Sequence, residues 1–363
     1  MKKRLSLLLM FCMILMLSAG CSNSDNSKDM TEGTEKSSVE KDLRKINVGY
    51  GNHLGCSLWF IAKESGFFKD YGLDVELNLF DGTAEHLAAI NSGQLFCGST
   101  GGTATFSAIA QESDISLWGG QMHEGSGIIC LPENKEIYSD FANYKGKSIG
   151  LVRMSTGDVV FRYGILKAGL TIGYEGDNAD VTIVELDSVG SVTEAVKKGE
   201  VDCGGSWIPN LKNAEAQGLA VAMLSGEVIV NHPCAAMTAL NSTLAEEPDT
   251  FKDLQKALIR AFDIYENQPD KAIPLIQKYL ELDEEVIRAD AYSRFSPNPE
   301  INKEAAETFW NAMNEIGYIE SDIDISQHLQ PSFFEDALKE LMEEEPSNEF
   351  YKELSKGGYG SNA

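Results

Sequence analysis

Four short polar clusters carry residue types that can hold a small anion without a catalytic group. Asp81-Gly82-Thr83, Ser99-Thr100-Gly101 and Ser155-Thr156-Gly157 each stand where a strand pattern gives way to a helix pattern, and Asn52-His53 follows the first strand pattern. The first turn of a helix leaves backbone N–H groups without intrahelical partners and carries a partial positive charge. Such a turn can hold a carboxylate or sulfonate with no arginine present. Ser, Thr and Asp also cap helices for purely structural reasons, so a single cluster says little. Convergence of several on one place is what points to binding. Trp59 and Trp207 lie beside these clusters and could sandwich a flat or apolar part of a solute. Trp118 and Trp310 read as core.

The remaining candidates for chemistry are His53, His123, His232 and the cysteines Cys56, Cys97, Cys203 and Cys234. Histidine with thiolate suits a soft metal. No C-x-x-C or H-x-x-x-H spacing of a zinc site occurs, so neither a metal nor a cofactor is expected. No Ser-His-Asp arrangement or nucleotide-binding glycine loop stands out. The expected role is therefore binding rather than catalysis. The site is expected to comprise Asn52, His53, Trp59, Asp81, Gly82, Thr83, Ser99, Thr100, Gly101, His123, Ser155, Thr156, Gly157 and Trp207.

These residues need a scaffold, and the chain alternates strand and helix. Residues 46–50 and 73–80 read as strands, the latter apolar at Leu73, Val75, Leu77 and Leu79, and 57–65 reads as a helix ended by Gly66. Residues 84–92 follow as a helix, 94–97 as a short strand, and 99–102 opens a helix to Ala110. After Pro132 the cycle restarts: strands at 148–152, 181–186, 201–203 and 220–224, helices from Ser155 and over 191–198, then an extended run over 228–240. Beyond Leu240 the pattern is helical. Such alternation implies mainly parallel sheets covered by helices on both faces, with ligands beyond the carboxyl ends of the strands.

One internal echo supports two equivalent lobes. Ala89-Ile90-Asn91-Ser92-Gly93-Gln94-Leu95-Phe96-Cys97-Gly98 is matched by Ala195-Val196-Lys197-Lys198-Gly199-Glu200-Val201-Asp202-Cys203-Gly204. In both, a helix closes on a glycine suited to the left-handed cap, and Cys-Gly follows.

The amino end sets the expected compartment. Lys2, Lys3 and Arg4 precede an apolar stretch over 5–17 that is short for a membrane span, the pattern of a signal peptide. Leu17-Ser18-Ala19-Gly20-Cys21 matches a bacterial lipobox, so residues 1–20 are expected to be removed and Cys21 lipidated. Residues 21–44 are polar and read as a disordered tether. The net charge of -26 argues against nucleic acid as a partner. An odd set of irregularly spaced cysteines is a poor disulfide framework.

Residues 58–77 then carry a resemblance. Leu58-Trp59-Phe60-Ile61-Ala62-Lys63-Glu64-Ser65-Gly66-Phe67-Phe68 followed by Tyr71-Gly72-Leu73-Asp74-Val75-Glu76-Leu77 resembles the ABC-importer binding proteins for sulfonates, taurine, nitrate, bicarbonate and thiamine pyrimidine precursors. Asp81-Gly82-Thr83, Ser92-Gly93-Gln94, Lys145-Gly146-Lys147-Ser148-Ile149-Gly150 and Asn267-Gln268-Pro269-Asp270 extend it over about residues 45–330. The sequence departs from that pattern at Phe96 and at Gly204-Gly205-Ser206-Trp207-Ile208-Pro209. The resemblance implies an α/β type II periplasmic-binding-protein fold with a ligand cleft between two lobes. Lobe I is expected over 46–131 plus 235–345, lobe II with the hinge over 132–234, crossovers near Leu131 and His232, and a flexible tail over 346–363. It implies a monomeric extracytoplasmic lipoprotein that is not an enzyme, held to the membrane by its lipid. Such a receptor passes a small organic anion, sulfonate- or taurine-like, to a permease and its ATPase. A thiamine pyrimidine precursor or another aromatic solute is the alternative ligand, and a sensory module the alternative role.

Overall fold

The alternation builds two six-stranded sheets. The computed structural model describes residues 43–292 and 294–357, with the backbone alone for Ser296. The signal peptide, Cys21 and nearly all of the tether lie outside the described residues. Strands β1 (Arg44–Gly51), β2 (Leu73–Phe80), β3 (Cys97–Gly101) and β4 (Ile115–Glu124) come first, then β5 (Ser126–Cys130), β6 (Lys147–Leu151), β7 (Ile172–Gly173) and β8 (Val181–Glu185). They are followed by β9 (Cys203–Trp207), β10 (Ala220–Leu224), β11 (Pro233–Leu240) and β12 (Phe295–Ser296). One sheet has the order β12-β4-β11-β3-β1-β2 and the other β10-β5-β9-β6-β8-β7. The first has three parallel strands, β2-β1-β3, and the second four, β7-β8-β6-β9, each run continued by antiparallel strands.

The sequence echo has a structural counterpart. Cys97-Gly98 pairs with Val48-Gly49 in the first sheet, and Cys203-Gly204 pairs with Ile149-Gly150 in the second. The glycine pairs let a helix approach closely. A Cβ on Gly98 would lie 2.1 Å from Nε2 of His86, and one on Gly204 2.3 Å from a methyl of Val192. His86 and Val192 each stand fourth in their helices, Thr83–Asn91 and Val189–Lys198.

Several expectations shift. β3 and β9 begin where the expected strands over 94–97 and 201–203 end. After the left-handed caps Gly93 and Gly199, the next residues turn back, Leu95 N–H donating to Ala89 and Val201 N–H to Ala195. Ser99 and Thr100 are consequently strand residues. β4 and β5 leave no alternation to read, because every residue in them is buried. They break at Gly125, at φ 91°, so the first crossover lies there and not near Leu131, and β5 belongs to the second sheet. Within the run over 228–240 only Pro233–Leu240 is strand. Leu79, the last of the alternating apolar residues of β2, is 51% exposed. The expected flexible tail contains a helix, Glu349–Leu354, that buries Phe350, Tyr351 and Leu354.

The long helix Pro248–Asn267 packs on the helix Ser57–Glu64, and its Phe251 meets Phe96 and Trp118 at 4.7 and 4.9 Å between ring centroids. The helix Lys303–Glu315 spans the lobes. Its Phe309 packs on Phe106 of the first lobe, while Glu315 pairs with Lys167 of the second at 2.9 Å. Arg294 adds a bond to Glu215 across the lobes at 2.5 Å.

The return crossover, between β10 and β11, holds buried polar groups. The Glu124 carboxylate accepts the Asn231 N–H at 2.9 Å and so ties one crossover to the other. His232 is fully buried with neither ring nitrogen partnered, stacked on Phe309 at 5.8 Å. Burial pushes His232 down to about 3 and His123 down to about 4. An unfolded histidine titrates near ~6.5, so the unfolded chain takes up protons first as pH falls. The stability these neutral rings carry at pH 7 is lost as pH drops from about 6.5 toward those folded values. His232→Leu should therefore flatten the fall in melting temperature between pH 7 and 4.5. An unaltered slope would show that His232 titrates alike folded and unfolded.

Candidate functional site

A cavity of about 560 Å³ opens between the two sheets. That volume suits a small organic molecule. Its first-lobe wall is built from the turn after β1, the end of β2 with the start of helix Thr83–Asn91, the end of β3 with the start of helix Gly102–Ala110, and part of β11. The second lobe contributes Ser126, the loop Met154-Ser155-Thr156, and Trp207 through Asn210.

The first-lobe helices are uncapped by side chains. Helices Thr83–Asn91 and Gly102–Ala110 follow Gly82 and Gly101, neither of which offers a side-chain hydrogen bond to the first turn. Gly82, Thr83, Gly101, Thr103 and Ala104 line the cavity, so the first turns of both helices border it. The Thr103 hydroxyl is buried with no partner. The facing helix Thr156–Lys167 is built differently. Ser155 caps it by accepting the Asp158 N–H at 3.1 Å. The buried Asp158 carboxylate accepts the Met154 N–H at 2.8 Å, the Arg162 Nε–H at 2.6 Å and the Tyr318 hydroxyl. The loop over 154–156 is thus braced, with Met154 held at φ 63°.

Charge is sparse. Asp81 is the only Asp, Glu, Lys or Arg side chain lining the cavity among the described residues. Burial pushes His53 down to about 4, so it is neutral at pH 7. Its Nε2 lies 3.7 Å from Sγ of Cys56, whose thiol burial pushes up to about 12 while Gln121 donates to it at 3.1 Å. A neutral imidazole beside a protonated thiol is not an activated nucleophile. Cys234, at the cavity wall, is likewise pushed up to about 11 by burial. No three His, Cys, Asp or Glu side chains gather as a metal site would need, among the described residues.

Of the expected site residues, Asn52, His53, Asp81, Gly82, Thr83, Ser99, Gly101, Ser155, Thr156 and Trp207 come together around the cavity. Four do not. Trp59 is fully buried, donates to the Ser99 hydroxyl at 2.9 Å and packs on Phe68 and Trp118, so it supports the wall from behind. Thr100 points into the sheet interior, its hydroxyl 2.7 Å from those of Thr105 and Thr238. His123 is buried in β4 near the crossover. Gly157 serves close packing, since a Cβ there would lie 3.0 Å from Ser126. Phe80, His86, Thr103, Met122, Met154 and Cys234 also line the cavity, and of these sequence reasoning missed Phe80, His86, Met122 and Met154. Strand ends and helix starts mark most of these; only contact across the lobes singles out Met122 and Met154.

The family model described as NMT1/THI5 like matches residues 52–272. The chain belongs to the NMT1/THI5-like family. A relative named as a binding protein in Brucella abortus (strain 2308) is 23% identical over 250 residues, covering 68% of this chain and 75% of that protein. A second relative, the 4-amino-5-hydroxymethyl-2-methylpyrimidine phosphate synthase of Candida albicans (strain WO-1), is 24% identical over 223 residues, 59% of this chain and 64% of that enzyme. The crystal structure of the periplasmic aliphatic sulphonate binding protein SsuA from Escherichia coli superposes with a TM-score of 0.68 at 18% identity, over 80% of this chain and 99% of that one. This member of the NMT1/THI5-like family therefore has the periplasmic-binding-protein fold.

The two tryptophans separate wall from support. Trp59→Ala should cost about 3–5 kcal/mol in a urea melt. Trp207→Ala should leave stability within about 1 kcal/mol and weaken solute binding. Equal losses of stability in the two variants would contradict that division.

Proposed function

We propose that this chain is the solute receptor of an ABC importer, working outside the cytoplasm and tethered through lipid on Cys21. Its two lobes close on a small organic solute with an acidic oxygen group, of the taurine or alkanesulfonate kind. The observation that carries this reading is the pair of uncapped helix starts at a cavity lined by neither lysine nor arginine. Backbone donors and helix ends are then the means of holding an oxyanion. Asp81 offers the one charged acceptor, suited to the amine of an aminosulfonate. The helix that spans the lobes and the paired crossovers support closure as the motion that the permease reads.

A second reading, a thiamine pyrimidine or similar ring, draws support from the aromatic faces of Phe80 and Trp207 at the same cavity. An enzymatic reading draws none from the thiols, whose burial holds them protonated.

Thermal-shift measurements over taurine, alkanesulfonates, nitrate, bicarbonate and aminopyrimidines test this. A solute at a hundredfold excess over its Kd should raise the melting temperature by roughly 5 °C or more. Taurine or a sulfonate should do so, and Asp81→Asn should weaken taurine about tenfold more than methanesulfonate. A shift with aminopyrimidines alone would replace the first reading by the second.

A further inference from the structure

His86 occupies a position that the fold fills with an apolar residue in its other copy. The two lobes place His86 and Val192 at the same step of equivalent helices, His86 above Gly49 and Gly98 of adjacent parallel strands and Val192 above Gly204. Val192 is fully buried and does what such a position requires. The imidazole of His86 is only 2% exposed, and its Nε2 is sealed without a hydrogen-bond partner. That nitrogen lies over the sheet, 2.0 and 2.1 Å from where Cβ atoms on Gly49 and Gly98 would stand. Phe80 stacks on the ring at 4.7 Å with the planes 9° apart. Nδ1 is not among the sealed atoms, and both His86 and Phe80 line the cavity between the lobes.

A sealed, unpaired ring nitrogen destabilises the folded state relative to an isosteric apolar group. Glycines at 49 and 98 then serve to admit a side chain that the core itself does not favour. We propose that His86 is a solute-contacting residue: its neutral imidazole presents one nitrogen to the polar group of the solute, on the stacked platform it forms with Phe80. Burial, with His53 nearby, holds the ring down to about 4, so it meets the solute uncharged and can donate or accept through its tautomers. A contact of this kind selects for a hydrogen-bonding group and against an isostere without one. The inference rests on the cavity being the solute site proposed above.

His86→Val, the residue the second lobe uses, tests it, with His86→Asn as a variant that keeps a donor and an acceptor. In the absence of solute, His86→Val should raise the melting temperature by about 2 °C or more. Affinity for taurine, or for whichever compound of the thermal-shift panel binds the wild type best, should fall about tenfold in His86→Val and less in His86→Asn. A His86→Val protein that binds that compound as the wild type does would overturn the proposal. A lower melting temperature would overturn it too, since the imidazole would then be a structural group. Should no panel compound bind the wild type, the reading of the solute class fails, and His86 is judged on the melting temperature alone.

Discussion

Backbone donors at the starts of helices are the constraint on which the site depends. In each sheet the parallel strands direct their ends, and so the helix starts that follow, toward the other lobe. Four helix starts, at Thr83, Gly102, Thr156 and Asn210, therefore border one cavity whichever side chains are present. The sequence then differentiates them. Gly82 and Gly101 leave two first turns uncapped on the first lobe, while Ser155 and Asp158 tighten the third into a braced loop. An uncapped, donor-rich wall faces a braced one. A solute-binding site can thus be assembled in a strongly acidic protein without importing a basic side chain.

The elements that position this wall were legible where a strand keeps one polar face. β1 and β2 alternate and fall within a residue or two of their expected ends. β4 and β5 do not alternate because both faces are covered, and a periodicity argument has nothing to register there. The position of the first crossover followed from that gap: Gly125 looks unremarkable in sequence, and its positive φ becomes visible only in the folded chain. The glycine-capped turns misled in another way. Leu95 and Val201 are apolar and buried, as a strand residue would be, yet they are plugs in a turn. That displacement moved Thr100 from an expected binding loop into the sheet.

Within the site, type and spacing identified the hydroxyl and glycine clusters but not depth. Trp59 and Trp207 look equivalent in sequence, and they differ because Trp59 lies on a helix face buried against Phe68 and Trp118 while Trp207 ends a strand at the cavity. Polar groups buried without partners recur in the same region, at His86, Thr103 and His232. There the fold gives up stability beside the cavity and the return crossover.

The central claim is that backbone N–H groups of the two uncapped helices hold the solute. The most direct measurement is an amide-resolved NMR titration with the solute that gives the largest thermal shift. The account predicts the largest changes at Thr83, Gly102, Thr103 and Ala104, with the Trp207 indole responding alongside. Amides in those first turns that stay still at saturation, while other residues shift, would contradict it.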